Sequence, residues 1–380
     1  MRSVLLVLFF VGSLAEAAAL QPPPVIGRSW IIGDLSSDQI LASEKSDARI
    51  EPASLTKLMT AYLVFAALRE KKISPEQQVT VSARAWRAPG SRMFVEPRQP
   101  VALDELIRGM VVQSGNDACI ALAEATAGSE EVFAQMMNRE AARLGMKNTH
   151  FMNSTGLPDA QHYSTAQDLY LLAAALIRDF PAEYGQYYSQ KEFRYNNITQ
   201  PNRNRLLWLD PTVDGVKTGH TEAAGFCLIA SSRRGGRRLL SVLLGSTSEA
   251  TRAQESQKLL NWGFQFFDSV KLYAGGDAVK SLGLEGGGKR GQGRLQGRPD
   301  DHRAERRSGQ AESRTAVAAA ARRAGGAGPA RRHAARHAGW QAGRRIPRRR
   351  SRAGGGRRDF RACLGYTQAV AQVARHTWFF

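Results

Sequence analysis

Between Ala53 and Glu70 the chain offers almost no polar face. Leu55, Leu58, Met59, Tyr62, Leu63, Val64, Phe65, Ala66 and Leu68 surround the axis of a helix expected over 53–70. Pro52 stands where its first turn begins, and a helix apolar all round belongs in the centre of a core. Upstream, "RSWIIGDL" and "ILASEKS" flank the turn-prone "SSDQ" and predict a β-hairpin. Downstream, residues 80–100 read as irregular or short-strand structure, "LDELIRGMVVQ" as amphipathic, and "DACIALAEATAG" as a second apolar helix closed by Gly128. "SEEVFAQMMNREAARLG" predicts a third helix stopped at Gly145, and "TAQDLYLLAAALIRDF" a fourth opening at Thr165. "VDGVKTG", "AAGFCLIASSR" and "RRLLSVLLGS" predict three strands, the last two joined at Gly235-Gly236, before a closing helix "EATRAQESQKLLNWGFQFF". Strands at both ends with helices between predict one α/β domain, its sheet assembled from the N- and C-terminal segments.

Both ends of the chain depart from this pattern. Val4 to Leu14 is an apolar run behind Arg2, and "AEAAA" (15–19) offers small residues at A-x-A spacing. Residues 1–19 are therefore expected to be a cleavable export signal, the run being shorter than the roughly 20 residues that a membrane span needs. The net charge of +19 belongs to the other end. Residues 281–380 hold 22 Arg and one Lys against six acids, leaving 30 basic and 28 acidic residues in 1–280. The folded part is thus close to neutral, and a specific nucleic-acid function is not expected. From about residue 283 apolar periodicity is lost and Arg, Gly and Ala dominate. The region 276–380 is expected to be a largely disordered basic tail. It reads either as an out-of-frame translation of a GC-rich gene or as a native tail able to touch anionic lipid by charge. Cys119, Cys227 and Cys363 are too few and too scattered for a disulfide framework or a zinc site. Cys119 and Cys227 sit in apolar surroundings and are expected to be buried thiols.

Three short constellations carry candidate chemistry. Ser54 and Lys57 lie at i and i+3 on one helical face. A serine at a helix start has backbone N–H groups beside it, and a base must take its proton before it can attack. An amine in a dry pocket has a depressed pKa and can be that base. Taken alone, the pair also fits a solvated lysine. Ser114-Gly115-Asn116 falls in a turn between two helices. Ser114 is placed to pass a proton between Lys57 and a leaving amine, and Asn116 to hold a substrate amide and Lys57. Helix capping is the alternative use of these residues. Lys217-Thr218-Gly219 lies on an edge strand, where charge and hydroxyl suit a carboxylate and glycine admits a peptide backbone. The N–H of His220 is placed to join that of Ser54 as an oxyanion hole. A lysine that discourages edge aggregation is the alternative. S-x-x-K, S-x-N and K-T-G in this order form a joint signal that none of the three gives alone.

The similarity extends well beyond the motifs. "RIEPASLTKLMTAYLVFAALRE", "MVVQSGNDACIALAEATAGSE", "FMNSTGLPDAQHYSTAQDL", "DGVKTGHTEAAGFCLIASS" and "ESQKLLNWGFQFFD" resemble the low-molecular-mass penicillin-binding proteins that are D-alanyl-D-alanine carboxypeptidases. The resemblance covers about residues 22–280. It implies a β-lactamase/transpeptidase-like fold over 20–275, an antiparallel sheet flanked by helices plus a helical subdomain. It also implies a serine acyl-enzyme mechanism on peptidoglycan stem peptides, inhibition by β-lactams, no cofactor and no metal, and a place in the periplasm, peripheral to the inner membrane. By resemblance Ser54 is the nucleophile, Lys57 its base, Ser114 and Asn116 the second motif, Lys217 a carboxylate contact and Arg252 a further one. His162 is expected to serve as supporting polar packing. A D,D-endopeptidase, a β-lactamase-like hydrolase and a non-catalytic penicillin or peptide sensor fit the same motifs. No segment resembles the glutamate-bearing loop of class A β-lactamases. The small β-rich second domain and amphipathic C-terminal helix of the family do not continue past "KLYAGGDAVKSLGL". Translating the underlying DNA in the other two frames beyond codon 283 is expected to restore alternating strands and a terminal amphipathic helix. If neither frame does so, the native basic tail stands.

Overall fold

The computed structural model describes residues 21–274 and the strand segments 278–282, 291–294 and 300–306. The expected signal (1–19), Cys363 and the tail beyond residue 306 lie outside the described residues. The N-terminal hairpin forms as β1 (Ser29–Asp34) and β2 (Gln39–Glu44). The apolar helix opens with a 3-10 turn, Ala53–Thr56, and continues as α1 (Lys57–Arg69). Residues 78–102 hold β3 (Gln78–Thr80), a single turn α2 (Ala83–Trp86) and β4 (Pro100–Ala102), which pairs with β3. The amphipathic segment is not one helix: α3 (Leu103–Arg108) passes into a π-helical turn, Gly109–Gln113. Then come α4 (Asn116–Ala127), α5 (Glu130–Arg143) and α6 (Ala166–Asp179), the last two capped by the hydroxyls of Ser129 and Thr165.

Beyond α6 lie α7 (Pro181–Tyr187), the hairpin β5 (Glu192–Tyr195) with β6 (Ile198–Pro201), and α8 (Leu206–Leu209). Three long strands follow, β7 (Val213–Thr221), β8 (Gly225–Arg234) and β9 (Arg237–Ser246), and then α9 (Glu249–Phe266). Four further strands are β10 (Phe267–Ala274), β11 (Ala278–Leu282), β12 (Gly291–Arg294) and β13 (Asp300–Arg306). β10 pairs with β13 and β11 with β12, both antiparallel. The boundary expected at residue 275 falls between β10 and β11.

The main sheet has the order β2-β1-β9-β8-β7 and is antiparallel throughout. Both of its faces are covered, so its inner strands read as continuous apolar runs rather than as alternations. Successive residues part to opposite sides. Ile31, Ile229 and Val242 join the core shared with α1 and α6, while Ile32, Leu228 and Leu243 join the core shared with α9. α1 is central: every residue from Lys57 to Phe65 is buried. Burying each large apolar side chain contributes about 1.5–3 kcal/mol relative to exposure. That apolar surround is what makes a lysine at its first position chemically unusual.

Gly33 marks where α6 meets the sheet. A Cβ there would lie 2.2 Å from the Tyr170 hydroxyl oxygen and 2.9 Å from the Gln39 carbonyl oxygen. Gly33→Ala is expected to destabilise the fold by about 1–3 kcal/mol through overpacking. Gly185→Ala, in an open helical position, should be neutral or stabilise by up to about 1 kcal/mol. Urea unfolding midpoints of the two variants check the contrast.

Candidate active site

Ser54 and Lys57 meet as their spacing implies, although the first lies in the 3-10 turn and the second opens α1. Lys57 Nζ lies 3.0 Å from Ser54 Oγ, 2.7 Å from Asn116 Oδ1 and 2.7 Å from the Thr155 carbonyl oxygen. The last two atoms have no hydrogen to give. As an ammonium, Lys57 donates one N–H to each of these three acceptors; once neutral, it keeps the bonds to Asn116 and Thr155, and its lone pair then faces the Ser54 hydroxyl, the one neighbour of the three that can donate. The Asn116 amide is oriented independently, because its Nδ2 donates to the Pro89 carbonyl at 2.6 Å. Lys57 is 1% exposed. Burial lowers its pKa from 10.5 to about 8; the Arg203 charge works in the same direction, and Cys119, Asp117 and Glu130 oppose it.

Ser114 follows the π-helical turn in the left-handed region, at φ 67°. It is buried, its Oγ has no hydrogen-bond partner among the described residues, and it lines the same cleft as Ser54. The cleft, of about 440 Å³, is closed on another side by Thr218, Gly219 and His220 of β7, the edge strand of the sheet. β7 comes close to the 3-10 turn that carries Ser54. A Cβ on Gly219 would stand 3.1 Å from the Pro52 carbonyl oxygen and 3.2 Å from Leu55 Cγ. Lys217 is buried and donates to the Thr218 carbonyl at 3.1 Å. Burial first, and then the charges of Lys57, Arg203 and Arg252, hold its pKa well below the usual lysine value. The side chain of Lys217 thus sits behind the wall that its strand neighbours form.

Arg252 lines the cleft and is 3% exposed. It pairs with Glu249 at 2.9 Å, donates to the Arg203 carbonyl at 3.3 Å and lies over the Phe226 ring. Glu249 is the one carboxylate among the described residues that line the cleft. Arg203, from the loop before α8, is a further cation in the lining. The His220 ring packs on that of Phe226, with centroids 4.1 Å apart. His162 supports the turn from below. Its Nδ1 accepts from Met152 N, so Nε2 carries the proton donated to Thr56 Oγ1 at 2.9 Å. Burial takes the His162 pKa down to about 4.

All the residues singled out from the sequence therefore gather at or directly behind one cleft. Thr155, Gly156, Arg203 and Asp117 were not anticipated. Thr155 acts through its backbone carbonyl, which no side-chain motif encodes. Gly156 did leave a signal in "NSTGLP": it has φ +83°, and a Cβ would fall 1.8 Å from the Ala53 carbonyl oxygen. Only glycine lets this turn close on the Ser54 segment. Asp117, next to Asn116, is fully buried and accepts from the backbone N–H groups of Met93, Phe94 and Val95. It thereby ties the 90–95 loop, and with it Gly90 and Ser91 in the cleft wall, to the second motif.

Known proteins resemble this chain in sequence and in fold. The D-alanyl-D-alanine carboxypeptidase family model matches residues 16–248. The chain is 46% identical over 275 residues to D-alanyl-D-alanine carboxypeptidase DacC of Escherichia coli (strain K12), covering 70% of this chain and 68% of that protein. It is 44% identical over 255 residues to DacA of the same strain, covering 65% and 63%. The chain thus spans about two thirds of the length of these curated relatives. Among solved structures, penicillin binding protein 5 from Haemophilus influenzae aligns with a TM-score of 0.73 at 39% identity, over 76% of this chain and 85% of that one. Penicillin-binding protein D2 from Listeria monocytogenes, solved in an ampicillin-bound form, aligns with a TM-score of 0.59 at 28% identity, over 64% of this chain and all of that one. With the family model covering well over half of the residues and the antiparallel sheet and flanking helices in common, the chain belongs to the D-alanyl-D-alanine carboxypeptidase family.

Proposed function

We propose that this protein is a serine-type D-Ala-D-Ala carboxypeptidase that removes the terminal D-alanine from peptidoglycan pentapeptide stems and is acylated by β-lactams. The observation that carries the reading is the buried Lys57 amine, bound to two hydrogen-free acceptors and facing Ser54 Oγ at 3.0 Å. In the free enzyme the neutral amine takes the Ser54 proton as Oγ attacks the penultimate D-Ala carbonyl carbon. The N–H groups of Ser54 and His220 face the oxyanion that develops. As the C–N bond breaks, the proton moves from Lys57 through Ser114 to the leaving D-Ala nitrogen. Water then attacks the acyl-enzyme ester, losing its proton to the restored amine, and Ser54 Oγ is reprotonated as the shortened peptide leaves.

Recognition draws on the cations around the cleft. Thr218 and Arg252, with Lys217 behind them, suit the C-terminal carboxylate, and Asn116 the stem-peptide amide. The β7 edge, opened by Gly219, suits an extended backbone. In a β-lactam the leaving nitrogen stays tethered to the acyl group, where it hinders the approach of water. Glu249, the one carboxylate in the lining among the described residues, is paired with Arg252. Both points favour a long-lived penicilloyl ester over β-lactamase turnover.

Export is part of the same reading. Residues 1–19 would be removed as a signal, 20–275 would act in the periplasm, and the basic region 276–380 would give at most weak contact with anionic membrane. No described helix is long and apolar enough to cross a membrane.

The test is labelling by a fluorescent penicillin alongside D-Ala release from a pentapeptide and from a cross-linked dimer. Ser54→Ala should lose labelling and release by on the order of 10⁴-fold or more while remaining folded. The wild-type acylation rate should climb as pH passes through about 8, where Lys57 becomes neutral. Labelling retained by Ser54→Ala would remove the nucleophile. Labelling without D-Ala release would favour the sensor, and release from the dimer alone the endopeptidase.

A further inference from the structure

Glu130 opens α5, is 4% exposed and belongs to none of the three catalytic motifs. Its Oε1 accepts from Ser154 N at 3.0 Å and from Ser154 Oγ at 2.6 Å. Its Oε2 meets Arg84 at 2.7 Å. The Ser154 carbonyl in turn accepts from Thr60 Oγ1 at 2.7 Å and from Cys119 Sγ at 3.0 Å. Every polar group of residue 154 is therefore held: N–H and hydroxyl by one carboxylate, carbonyl by α1 and α4. The next carbonyl along the chain, that of Thr155, is one of the two acceptors that orient the Lys57 amine.

We propose that Glu130 is a positioning residue for acylation: by gripping Ser154 it fixes the turn whose Thr155 carbonyl aims the Lys57 lone pair at Ser54. The proposal rests on the reading of Lys57 as the base. A buried carboxylate is expensive unless all its lone pairs are used, and these are spent on a serine beside the catalytic turn and on an arginine from α2. Arg84 is half-exposed and also pairs with Glu131, so removal of Glu130 strands no cation in the interior. Two effects can be separated. Geometry reaches Lys57 through Ser154 and Thr155. Charge reaches it directly, because Glu130 is one of the groups that raise the Lys57 pKa, together with Cys119 and Asp117 and against Arg203.

The experiment compares Glu130→Gln and Glu130→Ala with wild type. Second-order penicillin acylation rates are measured from about pH 6 to about pH 10, with near-ultraviolet circular dichroism to measure the folded fraction. Glutamine keeps an acceptor for Ser154 but no charge. Its profile should shift to lower pH while its plateau stays within about threefold of wild type. Alanine should show the same shift and a plateau lower by about tenfold or more per folded molecule, as misplacement of the base implies. An alanine variant with a wild-type plateau, a plateau loss accounted for by unfolded protein, or an equal loss in the glutamine variant would each overturn the proposal. Failure of the underlying site reading is read separately, as labelling that survives in Ser54→Ala.

Discussion

The site depends on keeping one amine dry while satisfying all but one of its bonding directions. Asn116 Oδ1 and the Thr155 carbonyl hold Lys57 Nζ from two sides at 2.7 Å each, and Ser54 Oγ takes the third direction. Water would compete for that lone pair and stabilise the ammonium form. Burial removes both, and brings the pKa to about 8. A serine hydroxyl beside such an amine can be deprotonated as it attacks, which it cannot be in bulk solvent near neutral pH.

The rest of the fold can be understood as the means of holding that arrangement still. α1 is buried from Lys57 to Phe65, and the amine at its first position is held among buried groups. The 150–164 loop, which supplies Thr155, is pinned to the segment before Ser54 by reciprocal backbone bonds between Ile50 and Ser164. Asp117 fastens the 90–95 loop, and Glu130 fastens Ser154. The antiparallel sheet contributes an edge: β7 has a partner on one side only, and its other side faces the 3-10 turn and the cleft. Rigid elements thus carry the nucleophile and its base, and tethered loops carry the groups that orient them.

Much of this was legible in the amino-acid order because the chemistry uses side chains at fixed spacings. Ser54 with Lys57, Ser114 with Asn116, and Lys217 to Gly219 could be read as pairs or triplets. The apolar run through 55–68 and the Gly235-Gly236 turn placed them on a helix and on strands. What escaped was carried by the backbone or by long-range contacts. The Thr155 carbonyl lies 98 residues from Lys57 and looks like any other carbonyl. Glu130 reads as an ordinary acid in a helix first turn, and Arg203 as one arginine among many. The β5–β6 hairpin did leave a signal, since Asn196 and Asn197 both adopt left-handed φ, at 48° and 61°, as a tight hairpin turn requires. β11 lies within "KLYAGGDAVKSLGL", where the likeness to the family's β-rich domain stops, and β12 and β13 lie beyond it.

The most direct measurement is a heteronuclear NMR titration of the Lys57 side chain, followed at Cε in protein labelled on lysine and assigned with a Lys57→Met variant. A midpoint near 8 that disappears with that residue is the expected result. A Lys57 midpoint near the ordinary lysine value of 10.5 would mean that the amine is wet and protonated, and would contradict its role as the base for Ser54.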